Sequence, residues 1–169
     1  MNNEKDNVYD LVEDFYAHDE GWNTLLRQEY AEGFLRMEAW KGKKNSDLYR
    51  SWDNLTMLCL YLGSAETFLG DMNADDFIDC IAWCGRNISE FTPDYKNTQD
   101  FLETCDGLFK YLKGKNAISN DTVPATAAEI LLQEGKMNII LPDGSFDEAN
   151  AERAWNATPD IPAKIFLNI

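Results

Sequence analysis

Hydrophobic side chains recur every three or four positions along most of this chain, and that spacing places them on one face of an α-helix. In the first such stretch, Val8, Leu11, Val12 and Phe15 share one face. The stretches with this spacing are 8–15, 22–40, 46–63, 73–88 and 93–114. Glycines and short polar runs separate them, so the pattern predicts five amphipathic helices in this part of the chain.

Residues that favour helix ends flank several of these stretches. Ser46 and Asn73 are predicted N-caps, because their side chains can accept a hydrogen bond from the first turn of a helix. Pro93 is predicted to lie near a helix start. Gly63 and Gly114 are predicted to end helices.

The last third of the chain has shorter and more varied segments. Capping boxes at 126–129 and 145–148 predict two short helices, and the apolar run at 137–141 predicts one strand. The whole pattern predicts a mainly all-α fold, a bundle of five to seven helices with a minor β element near 137–141.

The length of 169 residues and the apolar content of 44% suit one domain with a closed interior. We expect 1–169 to form a single domain with a helical core at 46–118. Acidic helices in 1–45 and a C-terminal segment at 119–169 are expected to wrap around that core.

The chain carries 30 acidic and 15 basic residues, a formal net charge of −15. Residues 1–40 hold 10 acidic and 3 basic groups, whereas 41–120 hold 12 and 9. This charge opposes non-specific binding to nucleic acids and anionic membranes. No apolar run approaches the roughly 20 residues of a membrane helix, and the first residues lack the pattern of a secretory signal. We therefore expect no membrane association and a cytoplasmic location.

The residues most capable of chemistry are four cysteines and one histidine. Cys59, Cys80, Cys84 and Cys105 form no C-x2-C knuckle, so we predict that they pack in the core as reduced thiols. His18 lies at the end of the first helix, where a histidine favours the helix terminus. Glycine-rich nucleotide-binding motifs are also absent from the sequence. These observations predict no catalytic residue, no cofactor and no metal, and hence no enzyme.

Four aromatic residues follow helical spacing in the second stretch: Trp22, Tyr30, Phe34 and Trp40. They could line a groove for a partner protein, or they could form the buried face of a helix. We predict that they are buried, because an apolar stripe on an amphipathic helix usually faces the core.

The central stretches carry two phrases with a recognisable layout. They are MNADDF at 72–77 with Ile81 and Trp83 after it, and LFKYL at 108–112 with Ile118 after it. With these phrases, residues 46–118 resemble the N-terminal core-binding domain, a SAM-like helical domain, of tyrosine recombinases of the phage-integrase type. The resemblance covers less than half of the chain.

The resemblance implies a small helical bundle that grips duplex DNA with basic helices. It implies no strand exchange, because the arginines, histidines and tyrosine of the family's catalytic domain have no counterpart here. The candidate nucleic-acid contacts are Lys43, Lys44, Arg50, Lys110 and Lys113. The alternative interpretation, which the net charge favours, is that these cations are solvated side chains near helix ends.

Two hypotheses of function follow. The first is a non-catalytic protein-interaction or regulatory module that binds a protein partner or a second copy. The apolar C-terminal tail provides its candidate contacts, Ile165, Phe166, Leu167 and Ile169. The second is a DNA-binding accessory protein with a recombinase-like core, or an acidic DNA mimic that uses the acid-rich segment 1–40.

Overall fold

A computed structural model describes residues 7–18 and 26–133 of the chain. Six α-helices lie in these residues: α1 (Val8–His18), α2 (Gln28–Trp40), α3 (Asn45–Ala65), α4 (Ala74–Asn87), α5 (Tyr95–Gly114) and α6 (Val123–Gln133). A short 3₁₀ helix, Leu69–Asp71, connects α3 to α4. The predicted all-α bundle of five to seven helices is confirmed, whereas the predicted β element near 137–141 lies outside the described residues.

Helix α3 is the centre of the bundle. It contacts α1, α2, α4 and α5, and α2 also packs against α5. Helix α6 lies against α4 and α5. Within the described part of the chain, no helix is both long and apolar enough to span a membrane.

Aromatic rings from different helices pack against one another in the bundle. The ring of Trp83 on α4 stands edge-on to Tyr61 of α3 at a centroid distance of 5.9 Å. Phe77 on α4 meets Phe109 on α5 in the same manner at 5.3 Å. The Tyr16 hydroxyl of α1 donates a 2.6 Å hydrogen bond to the backbone carbonyl of Leu26, which ties α1 to the segment before α2.

The four cysteines are fully buried and unpaired by disulfides, so the prediction that they pack in the core is confirmed. Burial raises the pKa of the Cys59 thiol to about 12. Burial also raises the pKa values of Cys80 and Cys105. Because the thiolate is the reactive form of cysteine, these three side chains act as small apolar groups at neutral pH.

Several helix ends agree with the sequence. The Asn73 side chain accepts a 2.9 Å hydrogen bond from the Asp76 backbone amide, and the Asp76 carboxylate accepts one from the Asn73 amide at 2.9 Å. This reciprocal capping box starts α4. Pro93 lies just before Asp94, which caps α5, and α5 ends at Gly114 as predicted.

The ends of α3 differ from the prediction. The helix begins at Asn45, one residue before the predicted cap Ser46. It also runs through Gly63 to Ala65 and ends where Glu66 adopts a left-handed φ of 54°. Tyr61 and Leu62, just before Gly63, are buried, and their packing outweighs the weak helix propensity of a single glycine.

Helix α6 begins before the predicted capping box at 126–129. It starts at Val123, and Thr126 lies inside the helix. The Thr126 hydroxyl donates a 3.0 Å hydrogen bond to the Thr122 carbonyl one turn earlier. Thr126 therefore hydrogen-bonds to the preceding turn and does not cap the start of the helix.

Candidate interaction surfaces

An open apolar groove lies on the surface between α5 and α6. Its volume is about 250 Å³, and its lining residues include Tyr95, Leu102, Pro124, Ala128 and Leu132. Leu132 is 52% exposed and Tyr95 is 45% exposed, so part of the groove's apolar lining is open to solvent. Leu102 is only 3% exposed, and the partly buried Ala128 also belongs to the lining.

Carboxylates border this groove. Glu103, Asp106 and Glu129 belong to its lining. Asp106 pairs with Lys110 at 2.7 Å, and that hydrogen bond raises the pKa of Lys110. The Gln99 amide donates a 3.2 Å hydrogen bond to Glu103. The result is an apolar floor with an acidic rim, a combination suited to a cationic and apolar partner.

A second exposed feature lies at the reversal between α2 and α3, which we call the Trp40 corner (residues 40–44). Trp40 is 91% exposed, the largest exposed fraction among the large hydrophobic side chains of the described residues. Three exposed lysines follow it, Lys41, Lys43 and Lys44. The corner thus presents an aromatic ring beside three positive charges on a strongly acidic protein.

The predicted aromatic stripe is only partly buried. Phe34 is fully buried and Tyr30 is half-buried, but the prediction that Trp40 is buried is wrong. Helix α2 ends at Trp40, so this side chain extends beyond the helices that cover Phe34. Trp22 lies outside the described residues.

The candidate nucleic-acid contacts lie in different parts of the structure. Lys43 and Lys44 belong to the Trp40 corner, and Arg50 lies 3.9 Å from Asp100 near the start of α5. Lys110 sits ten residues further along α5 than Asp100, which is about 15 Å of helix axis.

Carboxylates accompany three of those five cations. Arg50 faces Asp100, Lys110 pairs with Asp106, and Lys113 lies 3.5 Å from Asp121. These carboxylates offset the charge of three of the five cations. The candidate partner contacts at 165–169 lie outside the described residues.

A small polar cleft lies between α3 and the start of α5. Its volume is about 130 Å³, and its lining includes Arg50, Asp53, Asn54, Glu90 and Asp100. Burial, together with the negative charge of Glu90, raises the pKa of Asp53 to about 6. The Asn54 amide spans the cleft wall and donates to Asp100 at 3.2 Å and to the hydroxyl of Thr104 at 3.0 Å.

His18 occupies the end of α1 as the sequence predicts. Its Nδ1 lies 2.7 Å from the backbone carbonyl of Asp14, one turn earlier, so the ring satisfies a carbonyl at the helix terminus. Across the described ranges, no three His, Cys, Asp or Glu side chains converge in a way that could hold a metal ion.

Comparison of the chain with protein-family profiles, with curated proteins and with solved structures finds no match in any of the three. The resemblance to recombinase core-binding domains therefore stays a prediction from the sequence.

Sequence reasoning did not find the groove. Leu132 lies near the end of α6 and is 52% exposed. The available signal was the pair of small residues Ala125 and Ala128, which line the groove on its α6 side.

Proposed function

We propose that this chain is a non-catalytic protein-interaction module whose docking surface is the groove between α5 and α6. The observation that carries the proposal is the apolar floor around Leu102 and Leu132, bordered by Glu103 and Glu129. A partner of matching chemistry is an amphipathic helix with an apolar stripe and flanking lysines or arginines.

The chemistry of the groove supports this class of partner. Apolar side chains from the partner would cover Leu132 and Tyr95, which water now contacts. The net charge of −15 attracts a basic segment at long range and raises its association rate. The buried thiols and the engaged ring of His18 support a role without catalysis.

The test is a binding titration by fluorescence anisotropy. The probe is a labelled basic amphipathic helical peptide, and a peptide with the same apolar positions but acidic flanks is the comparison. We expect micromolar binding of the basic peptide and at least a tenfold loss in Leu132→Glu, because a charge would then occupy the apolar floor (about 1.4 kcal/mol per tenfold change).

Phe68→Glu is the matched control, because Phe68 is a 56% exposed apolar residue that does not line the groove. It should bind the basic peptide as the wild type does. Equal affinity of Leu132→Glu and wild type, or equal affinity for the basic and acidic peptides, would contradict the proposal.

A DNA-binding accessory protein is the second candidate function. The Trp40 corner favours it, because an exposed aromatic ring beside lysines can stack on a base and contact phosphates. The carboxylate partners of Arg50, Lys110 and Lys113 weigh against it. The related idea of an acidic DNA mimic depends on segment 1–40, of which the structure describes 7–18 and 26–40.

A gel-shift series with duplex and single-stranded DNA at about 50 mM salt separates these possibilities, because phosphate contacts are strongest at low salt. Binding that Lys43→Glu and Lys44→Glu abolish supports the DNA function. Absence of any shift at this salt rejects it. Competition by the chain against a basic DNA-binding protein for its DNA is the outcome that the mimic hypothesis expects.

A further inference from the structure

Two surfaces of this one chain are complementary in shape and charge. We propose that the Trp40 corner of one copy binds the α5–α6 groove of a second copy, so that the chain assembles head to tail. This inference rests on the proposed function, because it names a second copy of the chain as an occupant of the same groove.

The Trp40 corner is held in one conformation. The backbone amide of Lys41 donates to the carbonyl of Met37, and those of Gly42 and Lys43 donate to the carbonyls of Ala39 and Glu38, at 3.0 to 3.1 Å. Gly42 has a φ of 95°, which residues with a side chain rarely adopt. The corner is therefore prepared for binding, and little conformational entropy is lost when it docks.

The groove matches the corner in chemistry. Its volume of about 250 Å³ suits one large side chain, and its floor is apolar. The rim carboxylates Glu103, Asp106 and Glu129 carry the charge opposite to that of the lysines in the corner. A buried tryptophan surrounded by charge pairs is a common centre of protein interfaces.

The last turns of α2, which lead into the corner, pack against α5. Gly107 and Tyr111 of α5 face α2, since a side chain added at Gly107 would meet Phe34. Leu102 and Asp106 face the groove. Successive residues of a helix are rotated by about 100°, so these two pairs lie on different faces. Trp40 is 91% exposed, so its ring does not occupy the groove of its own molecule. Contact between the corner and the groove is therefore a contact between molecules.

Such an interface is heterologous, because different surfaces of the two copies meet. It generates open chains or closed rings, of which the smallest is a two-fold pair in which each corner enters the other copy's groove. The net charge of −15 repels the copies at long range. At physiological salt this repulsion is screened beyond about 8 Å, so the local contact decides and association is expected at high protein concentration.

Sedimentation velocity over a range of roughly 5 to 500 µM tests the proposal, a range that brackets micromolar to sub-millimolar dissociation constants. The wild type should shift from monomer to larger species as concentration rises. Trp40→Ala and Leu132→Glu should each weaken association at least about tenfold, as expected for a central interface residue. Phe68→Glu should associate as the wild type does, and far-ultraviolet circular dichroism verifies that all variants are folded.

A mixture of the two defective variants gives the sharpest result. Leu132→Glu retains the corner and Trp40→Ala retains the groove, so their mixture has one intact interface with both outer ends blocked. We expect a species of twice the chain mass of 19.3 kDa and no larger one. A two-fold interface elsewhere on the chain would show no such restoration.

The outcomes separate this inference from the proposed function. A wild type that stays monomeric up to the highest concentration overturns the inference, as does association that neither variant weakens. If the basic peptide still binds the wild type and not Leu132→Glu, the groove keeps its proposed function without the second copy as an occupant. Association that depends on Trp40 but not on Leu132 overturns the inference, because the corner then binds a surface other than the groove.

Discussion

The two faces of α5 differ in chemistry and in burial. On one face, Phe101, Cys105 and Phe109 are buried, and Phe109 packs against Phe77 of α4. The other face carries mostly polar and charged side chains around the buried Leu102, beside a groove where Leu132 of α6 is 52% exposed. The small side chains of Ala125 and Ala128 line the α6 side of that groove.

Close packing on the first face means that any change of volume there disturbs several neighbours at once. The second face tolerates changes of volume, because water or a partner can occupy the space. The same helix thus supplies stability on one side and a candidate docking surface on the other.

The largest expected effect is the loss of a ring from the closed face. Phe77→Ala removes a fully buried ring that packs edge-on against Phe109. We expect a loss of about 3–5 kcal/mol in the free energy of unfolding, measured by urea denaturation. Leu132→Ala on the open face should cost less than about 1 kcal/mol, since surface changes have small effects. Similar losses in both variants would show that the groove is closed in solution.

A pair of enlargements sharpens the same comparison. Ala82 on α4 is 1% exposed, so Ala82→Leu forces new atoms into filled space and should cost about 1–3 kcal/mol. Ala128→Leu places the same atoms in the groove and should change stability by less than about 1 kcal/mol. It should also remove binding of the basic peptide by filling the groove. If Ala128→Leu still binds that peptide, the binding surface lies elsewhere.

The smallest effect concerns the polar cleft, which belongs to neither face. The pKa of Asp53 is raised from 3.8 to about 6 by burial and by Glu90. The folded state therefore holds a proton more tightly than the unfolded chain, and stability falls as pH rises from about 4 to about 6. Part of Asp53 reaches solvent, so we expect Asp53→Asn to stabilise the folded state by only about 1 kcal/mol at neutral pH. Near pH 4 we expect no stabilisation, because Asp53 is then protonated in the folded state.

Thermal and urea unfolding across this pH range measures the effect. The exposed Asp71→Asn is the control and should follow the wild-type pH profile. If the Asp53→Asn profile stays parallel to the wild-type profile from pH 4 to pH 7, the raised pKa is contradicted. A carboxyl pKa that is about two pH units higher in the folded than in the unfolded state makes the stability depend measurably on pH.

Local chemistry predicted much of this architecture. The helical spacing of apolar residues located the helices, the predicted N-cap Asn73 marked the start of α4, and Gly114 marked the end of α5. The burial of Cys80 and Cys84 followed from their place on one apolar face. These features depend on residues within a few positions of one another, so the sequence contains the information directly.

Other features depend on which helices meet. Trp40 continues the apolar stripe of α2, but the chain reverses there and no described helix covers it. Arg50 and Asp100 are far apart in sequence, and the packing of α3 on α5 brings them to 3.9 Å. No pattern within a single helix predicts such a pairing.

By itself, the sequence determined that the chain forms helices, where most of them begin and end, and that its thiols are buried. Only the tertiary structure decided that Leu102 borders an open groove while Phe109 does not. The physical reason is that periodicity marks which face of a helix is apolar, whereas the size of the side chains on the opposing helix decides whether that face is covered.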